Sequence, residues 1–231
     1  MNRLSFDIGG TFTDFVLWDA VGETHTLKVP STPHDPAEGV LAGLDALLAE
    51  SGCRAEEIDV ILHATTIATN AIIERKGGRT ALITTEGFRD VLIIGRQKRY
   101  ETYDLYLEKP ASLVPRRDIM EVRERIGFSG EIIEALDTES VDQVVDRLVA
   151  GNYDAVAVAL LHSYANPDHE RHIRDRLAEA MPGAAISISS EVSPKYREYE
   201  RTNTTVANSY VKPVVAHYIG RLEAALADKG F

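Results

Sequence analysis

The feature that most limits how this chain can fold is an eight-residue motif near its start, Asp7-Ile8-Gly9-Gly10-Thr11-Phe12-Thr13-Asp14. The motif begins in an alternating apolar and polar run, residues 4–8, and is followed by a β-rich run, residues 15–18. This pattern predicts two strands joined by a tight glycine turn. Glycine lets a backbone approach a ligand closely, and successive free N–H groups in a turn bind anions. The motif therefore predicts a phosphate site.

The side chains of the motif suit the same chemistry. Hydroxyl groups add donors, and the Asp7 carboxylate is a suitable ligand for Mg²⁺ beside bound phosphates. We expect phosphate to be held by the turn residues Gly9, Gly10, Thr11 and Thr13. We also expect these residues and Asp7 to face one open cleft. Asp14 either adds a ligand to the metal or caps the turn. The purely structural interpretation of the whole motif is an ordinary Gly-Gly hairpin.

Helix and strand patterns follow the motif in a defined order. Residues 24–29 form a third strand-like run, and residues 36–52 place apolar side chains at helical spacing. Strand-like runs at residues 60–62 and 80–84 flank a helix expected over residues 69–76. Three strands, a helix, a strand, a helix and a strand are the order of a ribonuclease-H-like half-domain. We therefore predict such a half-domain over residues 1–95.

A second α/β pattern follows a polar connection expected over residues 97–117. Asp137 or Thr138 can cap a helix, and residues 155–161 form the continuous apolar run of a strand buried in a parallel sheet. Asn166-Pro167 is typical of a helix start. A strand at residues 185–188 and a long helix at 204–228, broken or bent at Pro213, complete a second α/β module over residues 96–231.

A second group of polar side chains follows the buried strand at residues 60–62. Because α/β sheets place ligands at the carboxyl ends of strands, Thr65 and Thr66 can bond phosphate or substrate. Thr69 and Asn70 either do the same or cap a helix. His63 is either an acid/base group or a histidine of the core. His169 and His172 lie three residues apart without further ligands in sight, so we predict that they bind no structural metal.

The motif at residues 7–14 resembles the first phosphate loop of the actin-like ATPase superfamily, and more narrowly that of the hydantoinase A/5-oxoprolinase family, to which the acetone carboxylase β subunit is also similar. Further blocks resemble signatures of that family: residues 63–77, 82–90, 161–167 and 197–202. They span nearly the whole chain in the expected order. One departure is Ala64, where the family usually has glycine.

The resemblance implies ATP-driven hydrolysis of a cyclic amide, with ATP and Mg²⁺ at the phosphate loop. Relatives phosphorylate the carbonyl oxygen of a ring such as 5-oxoproline or a hydantoin, which water then opens. The family's second phosphate loop and adenosine pocket have no counterpart in residues 96–231. We therefore expect an N-terminal fragment that needs the C-terminal part of the enzyme, and a second subunit is a further expected partner. A sugar-type kinase half-domain and a non-catalytic partner-binding half-domain are the alternatives.

Composition narrows the partners further. With 25 Lys+Arg against 36 Asp+Glu, the formal net charge of −11 repels nucleic acid. The longest apolar run, residues 155–161, is too short to span a membrane. A single cysteine excludes an intramolecular disulfide, and the start of the chain lacks the pattern of a signal peptide. These features favour a cytoplasmic location.

Overall fold

The computed structural model describes residues 1–32, 36–97, 101–108 and 110–231. These residues form two compact units, one of Met1–Ala71 with Val214–Phe231 and one of Ile72–Pro213. Strands and helices occur in both units, which confirms the predicted α/β class. Within the predicted connection at 97–117, residues 98–100 and 109 lie outside the described ranges. Among the described residues, no helix combines the length and the apolar character needed to cross a membrane.

The first unit contains one four-stranded mixed sheet. Its strands are β1 (Asn2–Ile8), β2 (Phe12–Trp18), β3 (Thr24–Pro30) and β4 (Ile58–Thr65). Their order is β3-β2-β1-β4, with antiparallel β1–β2 and β2–β3 pairs and a parallel β1–β4 pair. The predicted hairpin at the glycine motif is therefore confirmed.

Strand alternation divides this sheet into a core face and an open face. Leu4, Phe6 and Ile8 of β1 are buried, as are Phe15 and Leu17 of β2. They pack against α1 (Pro36–Ser51) and the last part of α7 (Glu198–Asp228). The helical side chains in this core are Val40, Leu44, Leu47, Tyr218 and Leu222. Of the intervening strand residues on the other face, Asp7 and Asp14 are exposed.

The second unit contains a four-stranded parallel sheet. Its strands are β5 (Thr80–Thr85), β6 (Ile119–Val122), β9 (Ala155–Ala159) and β10 (Ala185–Ile188). The order is β10-β9-β5-β6, and β9 is buried along its whole length, as its continuous apolar run predicts. A two-stranded pair, β7 (Arg125–Ile126) with β8 (Ile132–Glu134), accompanies this sheet.

Helices of the second unit cover both faces of its sheet. They are α3 (Val91–Ile94), α4 (Thr138–Gly151), α5 (Asp168–Ala180), α6 (Ser189–Val192) and the first part of α7. Asp137 is the N-cap of α4, as predicted, and its side chain accepts a hydrogen bond from the Glu139 N–H. The last helix includes Pro213, as expected, but it begins at Glu198 rather than at residue 204. The remaining helix, α2 (Ile67–Ile73), contains the boundary at residue 71.

The division predicted at residue 95 does not coincide with the two units. β5 pairs with β9 and β6, so the strand that we expected to complete the first sheet belongs to the second. The end of α7 in turn contributes to the first unit. Local patterns identify a strand, but its partners depend on contacts distant in the sequence.

Candidate phosphate-binding site

The glycine motif forms the turn between β1 and β2. The Gly9 N–H donates a hydrogen bond to the Phe12 carbonyl oxygen at 3.0 Å, which leaves Gly10 and Thr11 at the tip. Both tip residues are exposed. A Cβ atom at Gly10 would meet no other atom within 4 Å, so space is open where a ligand would approach.

The backbone N–H groups at the tip are unused. Within the ranges that the structure describes, no group accepts a hydrogen bond from the N–H of Gly10 or of Thr11. Two adjacent free amides in a turn provide the partial positive charge that binds an oxyanion. The turn can therefore contact phosphate mainly through its backbone.

Two carboxylates lie on the open face of the sheet beside this turn. Asp7 and Asp14 are directly opposite each other in the β1–β2 register. The Lys28 ammonium contacts both oxygens of Asp14, at 2.8 and 3.1 Å. Asp7 forms no hydrogen bond or ion pair within the described part of the chain. Because like charges opposite each other repel, Lys28 offsets one charge and leaves Asp7 available for a cation.

The structure assigns Thr13 and Gly9 a different role from the one predicted. Thr13 is 1% exposed, because it shares the core face of β2 with Phe15 and Leu17. Its hydroxyl lies 3.0 Å from that of Ser31. Neither the Thr13 hydroxyl nor the Gly9 amide, which is bonded to Phe12, is free for phosphate. The expectation that all five motif residues face one cleft is therefore not met at these two positions.

Lys28 and Ser31 are two residues in contact with the motif that the sequence analysis did not single out. Lys28 lies in β3, 14 positions beyond Asp14, and Ser31 directly follows the last residue of β3. The register of β2 with β3 places Lys28 opposite Asp14. Extending the alternation of exposed and buried residues from β2 into β3 would have indicated this pairing. Nothing in the local sequence marks Ser31.

Thr65 and Thr66 mainly support the start of α2. The Thr65 hydroxyl accepts a hydrogen bond from the Ile67 N–H at 3.2 Å, and the Thr66 hydroxyl accepts one from the Asn70 side chain at 3.1 Å. Thr65 is opposite buried Ile8 in the β1–β4 register, whereas exposed Ala64 is opposite Asp7. Thr66 is exposed and retains a hydroxyl proton for a ligand.

His63 lies on the core face of β4, away from Asp7. Its ring stacks on Phe6 with centroids 4.6 Å apart, and its Nε2 atom lies 2.8 Å from the Tyr218 hydroxyl. Burial lowers the pKa of His63 below its usual value, and burial likewise raises the pKa of Tyr218. This environment fits the second of the two alternatives, a histidine of the core.

The second unit holds a buried polar network at the carboxyl ends of its parallel strands. Glu170 accepts hydrogen bonds from the N–H groups of Leu160 and Ser190, at 2.9 and 2.8 Å. Arg201, which is 2% exposed, donates to the Leu160 carbonyl oxygen and to the Ser189 hydroxyl. These bonds fix the loops after β9 and β10, so Arg201 has a structural role within this unit.

His169 and His172 do not share an environment. His169 is buried and its Nδ1 atom lies 2.8 Å from the Glu124 carboxylate, whereas His172 is exposed. Among the described residues, one group of three or more side chains places possible metal-ligand atoms within 4.8 Å of one another, and it consists of Asp19, Glu23 and His25 at the β2–β3 turn. The histidine pair is not part of it.

Comparisons with known proteins show which proteins this chain is similar to. An uncharacterised protein of Methanocaldococcus jannaschii is 41% identical over 99% of this chain and 34% of its own length. The acetophenone carboxylase gamma subunit of Aromatoleum aromaticum is 37% identical over 100% of this chain and 34% of its own. The caprolactamase subunit alpha of Pseudomonas jessenii is 36% identical over 99% and 34%.

A solved structure resembles the whole chain. The crystal structure of the ATP-dependent caprolactamase from Pseudomonas jessenii matches with a TM-score of 0.90 and 35% identity, covering 99% of this chain and 34% of that chain. This chain thus spans about a third of the length of the curated relatives it matches. The family model described as the hydantoinase/oxoprolinase N-terminal region matches residues 3–181. The resemblance inferred from the motifs is confirmed: the chain belongs to the hydantoinase/oxoprolinase N-terminal family.

Proposed function

We propose that this chain is the ATP-binding N-terminal part of an enzyme that hydrolyses a cyclic amide at the expense of ATP. The observation that carries the proposal is the turn at Gly10 and Thr11: within the described residues its two amides have no hydrogen-bond acceptor, and Asp7, at the end of β1 before the turn, has no ionic partner. Membership of the hydantoinase/oxoprolinase family and the likeness to an ATP-dependent caprolactamase support it. The family match does not favour the kinase alternative.

The proposed chemistry uses ATP to weaken an unreactive bond. The γ-phosphoryl group passes from ATP to the carbonyl oxygen of the ring amide, giving ADP and an O-phosphorylated ring. A first water adds to the former carbonyl carbon and the C–N bond breaks, so that the ring nitrogen leaves as the amine of an open-chain acyl phosphate. A second water then hydrolyses the acyl phosphate, giving the amino acid and inorganic phosphate. Catalysis of phosphoryl transfer consists mainly of positioning and charge neutralisation, which amides and a metal ion supply.

The residues at the turn fit Mg²⁺ as well as phosphate. Magnesium prefers oxygen ligands and keeps several waters, so one exposed carboxylate such as Asp7 is a suitable anchor. When bound with nucleotide, Mg²⁺ offsets the negative charge of the phosphates. In this proposal the amides of Gly10 and Thr11 hold phosphate oxygens, and the Thr11 hydroxyl and Thr66 add donors. Asp14 stays paired with Lys28.

The first unit also supports the ribonuclease-H-like assignment at the level of strand order. The order β3-β2-β1-β4, with the first three strands antiparallel and the fourth parallel to β1, fits the first four strands of that half-domain, although the strand expected to follow them, β5, pairs in the sheet of the second unit. The binding turn lies at the carboxyl end of β1, the end at which α/β sheets hold ligands.

The complete activity depends on more chain than these residues. Because the relatives are about three times longer, we propose that the C-terminal part of the enzyme completes the nucleotide site and that a second subunit contributes as well. The relative named acetophenone carboxylase supports a second candidate reaction, carboxylation of a ketone. Ring opening and consumption of bicarbonate distinguish the two.

The test is a ring-opening assay on the complete enzyme with its partner, with and without ATP, using caprolactam and 5-oxoproline. Asp7→Asn is expected to lower ATP-dependent turnover by about tenfold or more, because metal and phosphate contacts contribute several kcal/mol. Asp59→Asn is the matched control, since Asp59 is an exposed carboxylate of β4 that bonds the Asn2 N–H. Equal activity of both variants would refute the assignment. The 231-residue chain alone is expected to show no turnover and very weak ATP affinity, because half a cleft buries little of the nucleotide.

A further inference from the structure

Ser31, the residue after β3, is bonded to three residues of the glycine turn. Its N–H donates to the Thr11 carbonyl oxygen at 2.9 Å. Its hydroxyl donates to the Gly9 carbonyl oxygen at 2.9 Å and lies 3.0 Å from the Thr13 hydroxyl. Ser31 is 22 positions away from Gly9 in the chain, so these bonds connect β3 to a turn between two other strands.

The directions of these hydrogen bonds follow from the chemistry of the groups. A carbonyl oxygen only accepts, so the single hydroxyl proton of Ser31 is used on Gly9. The Thr13 hydroxyl must therefore donate to the Ser31 oxygen. The resulting chain runs from Thr13 through Ser31 to Gly9, and its last bond fixes the direction of the Gly9 carbonyl group.

Fixing that carbonyl group also fixes the amide that would bind phosphate. The peptide bonds of the described residues are trans, and in a planar trans peptide the C=O of one residue and the N–H of the next point in opposite directions. When the Gly9 carbonyl points at Ser31, the Gly10 N–H must point away from it, toward the open side of the turn. We propose that Ser31 is a positioning residue, which orients the Gly10 amide for phosphate through the Gly9 carbonyl.

This inference rests on the proposed function, but it assigns a role that the phosphate motif alone does not contain. It also gives a reason for a hydroxyl group at Thr13, whose side chain lies on the core face of β2. The Thr13 hydroxyl supplies the proton that the Ser31 oxygen accepts. Thr13 is thus one hydrogen bond further from the phosphate than Ser31, so loss of the Thr13 hydroxyl should weaken phosphate binding less.

The experiment follows the Gly10 and Thr11 amide resonances of the 231-residue chain by NMR during titration with inorganic pyrophosphate. Ser31→Ala is expected to shift the free Gly10 resonance and to weaken pyrophosphate binding by about three- to tenfold, the factor equivalent to one hydrogen bond. Ser31→Thr keeps the hydroxyl and Thr13→Val removes only the first bond of the chain, so both should bind within about twofold of the unsubstituted protein. Ser51→Ala is the matched control, since Ser51 bonds the Leu48 carbonyl oxygen at the far end of α1.

The outcomes of this titration distinguish the positioning role of Ser31 from the proposed function on which it rests. A loss confined to Ser31→Ala, in samples that retain the native circular dichroism spectrum, supports the positioning role, because a purely structural role would lower stability without weakening binding by the folded protein. Unchanged affinity of Ser31→Ala, or an equal loss in Thr13→Val, would overturn the positioning role and leave the proposed function intact. If the Gly10 and Thr11 resonances of the unsubstituted chain do not respond to millimolar pyrophosphate, the positioning role fails, whereas the proposed function is decided separately by the ring-opening assay on the complete enzyme.

Discussion

A methyl group added at Gly43 tests how closely α1 packs against β2. Gly43 lies in the middle of α1, and a Cβ atom there would be 2.5 and 2.6 Å from the Cε2 and Cζ atoms of Phe15 and 3.3 Å from its Cδ2 atom. Phe15 is 1% exposed, and its ring also packs on Phe6 with centroids 5.7 Å apart. Because the ring is buried and two of these distances are far shorter than van der Waals contact, Gly43→Ala must displace the Phe15 ring, the helix or other parts of the core.

Two opposing effects set the change in stability expected for Gly43→Ala. Alanine in place of glycine within a helix is favourable by about 1 kcal/mol, and overpacking of a core costs about 1–3 kcal/mol. Because two of the contacts are far shorter than van der Waals separation, we expect a cost near the upper end and a net destabilisation of about 1–2 kcal/mol. Gly220 of α7 is the matched control: it is exposed and a Cβ atom there meets nothing within 4 Å. Gly220→Ala should therefore stabilise the protein by about 0.5–1 kcal/mol.

Guanidinium chloride unfolding followed by tryptophan fluorescence measures this effect locally. Trp18 is the single tryptophan of the chain and lies on β2 in the same unit as both glycines. Midpoints compared at equal m-values report the change in stability. Adding Phe15→Leu should relieve the crowding, so the double variant should lose less stability than the two single variants together. If Gly43→Ala is as stable as the unsubstituted protein, or Gly220→Ala loses as much, the packing argument is wrong.

Three further predictions follow from individual contacts. Burial lowers the pKa of His63 in the folded protein, so below about pH 6.5 the unfolded chain binds a proton that the folded protein does not. The contribution of His63 to stability should therefore be fully present above that pH and should be lost as the pH decreases through it. In a series of unfolding midpoints measured against pH, His63→Gln should reduce the slope in this range. An unchanged slope would contradict the prediction. Arg201→Met removes a buried charge and its hydrogen bonds and should lower the free energy of unfolding by about 3–5 kcal/mol. Arg174→Met removes a partly exposed ion pair and should lower it by less than about 1 kcal/mol. Chemical unfolding followed by circular dichroism measures both changes. Gly10→Ala should leave stability within about 0.5 kcal/mol but weaken pyrophosphate binding in the NMR titration, because the new methyl group stands in the open space over the free amides.

Local sequence patterns predicted most elements of the fold for identifiable physical reasons. Alternation of apolar residues located β1 and β2, helical spacing located α1, and a continuous apolar run located the buried strand β9. The burial of Thr13 was also predictable, because it belongs to the same alternate set as Phe15 and Leu17. Treating every threonine of the motif as a phosphate donor overlooked that periodicity.

The remaining features depend on contacts between distant segments. Nothing in the residues of β5 indicates that its neighbours are β9 and β6 rather than β4, because a short buried strand suits either sheet. The same holds for Ser31, whose importance depends on where β3 ends relative to the glycine turn. Position in the sequence is therefore a poor guide to the parts that support a site, even where the residues that would contact the ligand are recognisable.

In this hairpin, the residues that support the turn and the charged residues lie on opposite faces of the sheet. Thr13 on the core face belongs to the hydrogen-bonded chain that holds the turn, while Asp7 and Asp14 on the open face carry charge. The two carboxylates are opposite each other, an arrangement that is unfavourable without a cation. Lys28 neutralises Asp14 and leaves one negative charge at Asp7 beside two amides with partial positive charge. A magnesium–phosphate group carries both signs of charge, so it complements this arrangement, whereas a free metal ion or a free anion would satisfy only one part of it.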